Sequence, residues 1–264
     1  MKGIIYYYSG SGNTELACRY IAGKVKNADF ELCNIAGIDR HDLNKYDIVG
    51  FATWADFMGA PQLFHSFVGE IESQGEKPAF IFNTFGAVSG NTLRDMENAV
   101  KAKGFNVIRG HSLHTPENYP PSIKRGMGFA KSPGKRDIKK FDAFIAGLET
   151  DIKELRENRT VKQTKIKLGL SNSIMPKLPR TQARKDMGEK FVDGTLCNEC
   201  GICVKVCPYN AVELSPKPVF DMSACYGCWA CYNHCPEQAI FTKKIRGIGH
   251  YPRPIEQLAT KLKP

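Results

Sequence analysis

The stretch Gly3-Ile4-Ile5-Tyr6-Tyr7-Tyr8-Ser9-Gly10-Ser11-Gly12-Asn13-Thr14, continued by a helix-compatible run to Val25, decides the fold. An apolar, β-prone run passes into a loop of small polar residues and then directly into a helical pattern, which reads as strand, loop, helix. The glycines permit a tight turn. Backbone N–H groups and the hydroxyls of Ser9, Ser11 and Thr14 can surround a phosphate at the start of the helix, where the dipole favours an anion. The loop lacks the lysine of a Walker loop and holds only G-x-G of the dinucleotide fingerprint, which argues against nucleoside-triphosphate chemistry. Taken alone it also reads as a plain turn before a helix.

Working outward, Phe30–Cys33, Asp47–Thr53, Ala79–Asn83 and Asn106–Ile108 are further short β-prone runs, and Pro61–Ile71, Asn91–Lys103 and Asp137–Glu157 suit helices. Strands alternating with helices imply βαβ units, hence an α/β class and a doubly wound, five-stranded parallel sheet over residues 1–158. Two more loops follow strand ends: Ala52-Thr53-Trp54-Ala55-Asp56-Phe57 and Asn83-Thr84-Phe85-Gly86-Ala87. Open α/β sheets bind ligands at that edge. An exposed Trp54 there can stack on a flat ring; the alternative places it in the core.

The formal charge of +10 is unevenly spread over the 264 residues. Residues 159–185 carry eight Lys/Arg and no acid, residues 186–242 three Lys and seven acids, and residues 243–264 six Lys/Arg and one acid. The basic excess therefore belongs to a linker, 159–185, and a tail, 243–264. A nucleic-acid binder would show a basic folded face instead. In the linker, Ile166, Leu168, Leu170, Ile174 and Leu178 either pack along one domain or belong to a solvated tether. No run approaches the ~18 apolar residues of a membrane span, and the apolar start is too short for a signal peptide. The expectation is a soluble, cytoplasmic protein.

Two of the ten cysteines, Cys18 and Cys33, lie in the first 196 residues and read as packed core thiols; eight lie between 197 and 235. That clustering suits metal ligation in a reducing compartment better than a disulfide scaffold. A repeat of 28 residues aligns Asp193 with Asp221 and Cys197, Cys200, Cys203 and Cys207 with Cys225, Cys228, Cys231 and Cys235. Pro208 and Ala211 align with Pro236 and Ala239. Each copy reads C-x2-C-x2-C-x3-C-P, the spacing of cubane 4Fe-4S ligation in which the fourth cysteine serves the other cluster. The sets are then Cys197, Cys200, Cys203 and Cys235 for cluster one, and Cys225, Cys228, Cys231 and Cys207 for cluster two. Zinc favours two separated pairs and needs no third cysteine at this spacing. Tyr209, Tyr226, Trp229 and Tyr232 lie beside the ligands and would shield them from water. His234 reads as a packing residue, since the cysteines already complete both sets.

Ser9–Thr14 resembles the phosphate loop of flavodoxins, T/S-x-T/S-G-N-T, and residues 1–158 are similar in layout to a short-chain flavodoxin. Residues 186–242 resemble a small α+β bacterial ferredoxin domain with two 4Fe-4S clusters. Together they look like the bacterial and archaeal ferredoxin–flavodoxin fusion proteins. That resemblance implies FMN, its phosphate held by Ser9, Ser11, Gly12, Asn13 and Thr14. Its isoalloxazine would be lined by Trp54 with its neighbours Thr53, Ala55 and Asp56, and by Thr84, Phe85 and Gly86. It also sets the Pro116–Tyr119 part of the loop His114–Pro121 near the flavin. One departure is plain: the Gly-Asp peptide that many flavodoxins carry near flavin N5 is Ala55-Asp56 here.

The function expected is electron transfer between two 4Fe-4S clusters and FMN, working in the absence of oxygen with redox proteins as partners and compatible with a homodimer. The alternative is an FMN-dependent reductase of a small organic acceptor, of quinone or nitro type, fed by its own ferredoxin domain. No nucleophilic or paired-carboxylate constellation stands beside the flavin loops; His111, His114 and Glu117 are the candidate proton donors. A third reading is a redox-sensing or docking protein with the basic tail as its interface.

Overall fold

The alternating runs form a parallel sheet in a computed structural model that describes residues 1–37, 42–161, 163, 166, 184 and 187–263. Its strands are β1 (Lys2–Tyr7), β2 (Asp29–Asn34), β3 (Ile48–Trp54), β4 (Lys77–Phe85) and β5 (Phe105–His114), in the order β2-β1-β3-β4-β5. All four pairings are parallel. This is the doubly wound order of the flavodoxin-like fold, whose ligand crevice opens where β1 and β3 diverge.

Side chains alternate across the strands, so Ile4 and Ile5 enter opposite cores. One core packs the sheet against α1 (Asn13–Lys24) and α5 (Lys135–Arg156) through Ala17, Ile21, Phe141 and Leu148. The other packs it against α2 (Gln62–Gly69) and α3 (Thr92–Lys101) through Phe64, Val68, Met96 and Val100. Central β3 is buried on both faces, which is why its sequence reads as a continuous apolar run. The sheet and helices fall where the periodicity set them, within a few residues. The largest departure is β5, which runs on to His114 although its polar second half, Arg109–Ser112, carries no strand signal. Pairing with β4 supplies its backbone partners after a register shift at Ala79/Phe80. A short helix, α4 (Pro120–Lys124), follows within the expected loop.

The cysteine-rich half shows the repeat in its backbone. Strands β6 (Lys190–Val192) and β9 (Ile240–Thr242) pair antiparallel, as do β7 (Val212–Ser215) and β8 (Lys217–Phe220). A shift of 28 residues carries β6 onto β8 and β7 onto β9. Left-handed backbone recurs at the same shift: Glu199 (φ 60°) with Gly227 (79°), Gly201 (72°) with Trp229 (65°), and Asn210 (50°) with Gln238 (49°). Gly201 and Trp229 open the short helices α6 (Ile202–Lys205) and α7 (Ala230–His234). In both copies the aspartate caps its turn: Asp193 accepts from Thr195 N and Oγ1, and Asp221 from Ser223 N and Oγ.

Val161 is buried in the first core and Ile166 packs on the second, so the start of the basic linker lies along domain one. Leu168, Leu170, Ile174 and Leu178 lie outside the described residues. The basic tail divides its contacts. Arg246 pairs with Asp193 of the cysteine-rich half. Beyond it the chain crosses back to the first domain and ends in α8 (Glu256–Lys261), with Leu258 and Leu262 fully buried in the core beside α1 and α5. Among the described residues no helix is long and apolar enough to cross a membrane.

Candidate functional site

A cleft of about 750 Å³ opens at the carboxyl ends of the strands. Ser9, Ser11, Asn13, Thr14, Trp54, Ala55, Asp56, Thr84, Phe85 and Gly86 all line it, brought together from three loops. Gly12 and Thr53 do not line it; Thr53 is fully buried behind Trp54. The size falls within the range of pockets that hold small-molecule ligands.

Backbone N–H groups of Ser9–Asn13 meet no acceptor among the described residues, as an anion cradle at a helix start requires. Side chains hold the loop in shape. Thr14 Oγ1 shares a 2.8 Å hydrogen bond with Thr84 Oγ1, Asn13 Nδ2 donates to Pro116 O at 3.0 Å, and Asn118 Nδ2 donates to Ser11 Oγ at 2.5 Å. Tyr251 Oη, from the tail, donates to Asn13 Oδ1 at 2.9 Å, and the Pro254 ring lies against Gly12. Among the described residues the buried Trp54 Nε1 at the cleft and Thr53 Oγ1 and Tyr8 Oη behind it have no partner. Buried donors without partners point to a polar ligand. The hydroxyls, open amides and Trp54 fit a phosphate joined to a flat ring.

Glu117 forms part of the wall. Its carboxylate accepts from the N–H groups of Ala87, Asn118 and Tyr119 and lies against Gly86, where a Cβ would come within 2.5 Å of Oε2. Burial lifts its pKa above the usual carboxylate value, against those three donors. The other two candidate proton donors stand elsewhere. His114 stacks on Phe85 at 5.1 Å, and His111 stacks among Phe82, Phe141 and Phe144 away from the cleft. Burial pulls His111 down to about 4.

Sequence reasoning missed that the second half closes the cleft. Gly227, Cys228, Asn233 and Lys243–Ile245 line it, with Lys124 and Arg125 from the first half. Tyr226 Oη donates to Asp56 Oδ2 at 2.5 Å and accepts from Gln62 N at 3.1 Å. Asn233 Nδ2 donates to Asn118 O at 3.0 Å, and the Tyr119 ring packs edge-on between Phe57 and Trp229. These partners lie more than a hundred residues apart, beyond any local pattern.

Cys197, Cys200, Cys203 and Cys235 line one enclosed space, with Ile202, Leu214 and Pro218 around them. Cys207 stands close enough to influence both Cys228 and Cys231, and Cys225 completes that set. Cys235, the fourth cysteine of the second repeat, lines the space of the first repeat's three. Among the described residues no group of His, Cys, Asp or Glu closes around a single metal ion. Backbone N–H groups point at sulfur in both sets, Ala211 to Cys207 Sγ at 3.4 Å and Ala239 to Cys235 Sγ at 3.3 Å. Such donors and soft thiolates suit an iron–sulfur core. The sets differ in exposure: Cys200 is exposed, whereas Cys225 and Cys231 are buried and Cys228 reaches the cleft wall. Burial pushes the Cys231 thiol up to about 12, and the Lys190 ammonium acts against that. His234 packs, its Nδ1 3.0 Å from Ala230 O, and Cys18 and Cys33 are buried thiols; burial raises Cys33 to about 11.

Comparison with known proteins gives a family match for the cysteine-rich segment. Residues 196–239 match the 4Fe-4S dicluster domain. No curated protein matches the chain. Among solved structures, an archaeal flavodoxin is similar at 17% identity over 58% of this chain and 99% of its own, with a TM-score of 0.44. Flavodoxin 1 from Bacillus cereus is similar at 19% over 55% and 95%, with a TM-score of 0.41. A flavone reductase is similar at 12% over 62% and 66%, with a TM-score of 0.45. The strand order defines the flavodoxin-like fold and the match defines the dicluster segment. The chain thus joins a flavodoxin-like fold to a 4Fe-4S dicluster segment, the layout of a flavodoxin–ferredoxin fusion.

Proposed function

We propose that the chain carries single electrons between two 4Fe-4S clusters and one FMN, with the Cys197 set facing redox partners and the Cys225 set facing the flavin. The observation that carries this reading is Cys228, which belongs to the inner sulfur set and also lines the cleft. When bound, the clusters exchange one electron each and the flavin one or two. Ser9–Thr14 would hold the phosphate on open amides and hydroxyls. Trp54 and Phe85, both on the cleft wall, would hold the ring, and Thr84 ties the two regions together. Tyr226 and Asn233 lock the halves, so the donor–acceptor spacing is set by packing and not by a search through a tether. Exposed Cys200 makes the outer set the point of entry or exit. Buried Cys18 and Cys33 take no part.

Anaerobically purified full-length protein should contain about eight iron atoms, eight acid-labile sulfides and one FMN per chain, from the ligand count. Reduction by a low-potential ferredoxin, seen as flavin bleaching in rapid mixing, should follow. Zinc in place of iron, or cluster reduction that never reaches the flavin, overturns the reading. Four cations on the cleft, Lys124, Arg125, Lys243 and Lys244, favour a second one: reduction of an anionic organic acceptor of quinone or nitro type. Saturable turnover of such an acceptor would mark the chain as an enzyme.

A further inference from the structure

The duplicated halves provide an internal comparison. Their cysteine spacing, left-handed positions, aspartate caps and N–H···S bonds coincide under the shift of 28 residues. At one buried position beside the sulfurs they differ in charge; the other charge differences there, Glu199 for Gly227, Lys205 for Asn233 and Glu237 for Tyr209, are exposed. Lys190 opens β6, and its counterpart in β8 is Pro218. Lys190 is buried, 7% exposed, and its Nζ donates to Cys225 Sγ at 3.0 Å and to Met187 Sδ at 3.3 Å. The ammonium also lies 6.0 Å from the Trp229 and Phe220 ring centroids. Pro218 lines the space enclosed by the Cys197 set and offers neither a charge nor an N–H.

We infer that Lys190 makes the inner sulfur set, at Cys225, the better electron acceptor of the two and so draws electrons from the outer set toward the cleft. The inference rests on the electron-transfer reading above. Reduction of a thiolate-ligated core adds negative charge to its sulfurs, and a hydrogen-bonded cation in a low-dielectric site stabilises that charge. Burial works the other way, because water at a surface stabilises added charge better than packed side chains do. The inner set is the more buried, so without the lysine it would be the poorer acceptor and electrons would rest at the exposed end. Lys190 reverses that order. The step moves one electron inward; no bond forms or breaks, and the ammonium keeps its proton. The neighbouring cations do not repeat this role: Arg184 donates to the carbonyls of Met222 and Ser223, and Arg246 pairs with Asp193.

The test is a potentiometric titration of full-length, cofactor-loaded protein followed by electron paramagnetic resonance. Lys190→Met keeps the apolar stem and removes the charge. It should lower one cluster wave enough to cut the inward equilibrium constant at least tenfold, ~59 mV for a one-electron couple, and leave the other wave in place. Lys190→Arg should recover most of the shift. Pro218→Lys sets a cation at the matching place and should raise the other wave, which answers the question even where Lys190→Met loses iron. Unmoved waves in iron-replete Lys190→Met, waves that move together, or an unchanged gap in Pro218→Lys overturn the inference while leaving electron transfer intact. A wild-type protein with no iron–sulfur signals overturns the functional reading itself.

Discussion

Gly86 shows how one residue shapes the cleft. A Cβ there would lie 2.5 Å from Glu117 Oε2 and 2.6 Å from its carboxyl carbon. Three backbone donors hold that carboxylate, so it cannot retreat without leaving buried N–H groups unpaired. Gly86→Ala should therefore weaken FMN binding at least about tenfold, the equivalent of roughly 1.4 kcal/mol, read by quenching of flavin fluorescence. Unchanged affinity would mean that Glu117 moves freely. His111 carries a pH dependence of different origin. Burial lowers its pKa from 6.5 to about 4, with Lys140 adding to the effect. The unfolded chain binds that proton first, so the stabilising contribution is complete above about pH 6.5 and is lost as pH falls toward 4. Part of the ring meets solvent, so the contribution is on the order of 2 kcal/mol, below the full conversion of the shift. His111→Phe should melt closer to the wild type at pH 7 than at pH 4.5, where the variant should gain by several degrees. A constant difference across that range would contradict the assignment.

At the scale of elements, the repeat and the tail behave differently. The repeat is locally coded: cysteine spacing and capping aspartates produce the same loop twice, and only side chains such as Trp229 for Gly201 break the symmetry. Trp229 accepts a left-handed backbone (φ 65°) that glycine would adopt without strain, and its ring is 1% exposed among Lys190, Tyr119 and Tyr232. The tail has no such code. Its high charge reads as a docking interface, yet Leu258 and Leu262 are spaced one helical turn apart and fill the first core. Leu258→Ala should cost about 2–5 kcal/mol through the cavity it leaves. It should also loosen the Ser9–Thr14 loop, since Tyr251 and Pro254 on the same segment touch Asn13 and Gly12. A lower unfolding midpoint and faster FMN release would confirm both effects; an unshifted midpoint would show that the helix is not part of the core.

At the scale of the whole molecule, the seam between the halves sets where the sulfur ligands stand relative to the cleft. Tyr226, between two inner cysteines, bonds both Asp56 and the Gln62 amide. Tyr226→Phe removes both bonds, about 1.5–3 kcal/mol for the one to the charged partner. Amide exchange at Gln62 should speed up while the sheet amides of β3 stay protected; unchanged exchange at Gln62 would show that the seam does not depend on this tyrosine. The sequence by itself determined the two folding units, the order of strands and helices, the three cleft loops and the repeated cysteine spacing. Each is encoded by spacing or periodicity within a few dozen residues. Tertiary structure alone decided that Cys228 and Asn233 wall the cleft, that the tail clasps the Ser9–Thr14 loop and that Lys190 lies beside Cys225. Those contacts join segments whose local patterns are independent of one another, and packing and charge fix them only once both halves have folded.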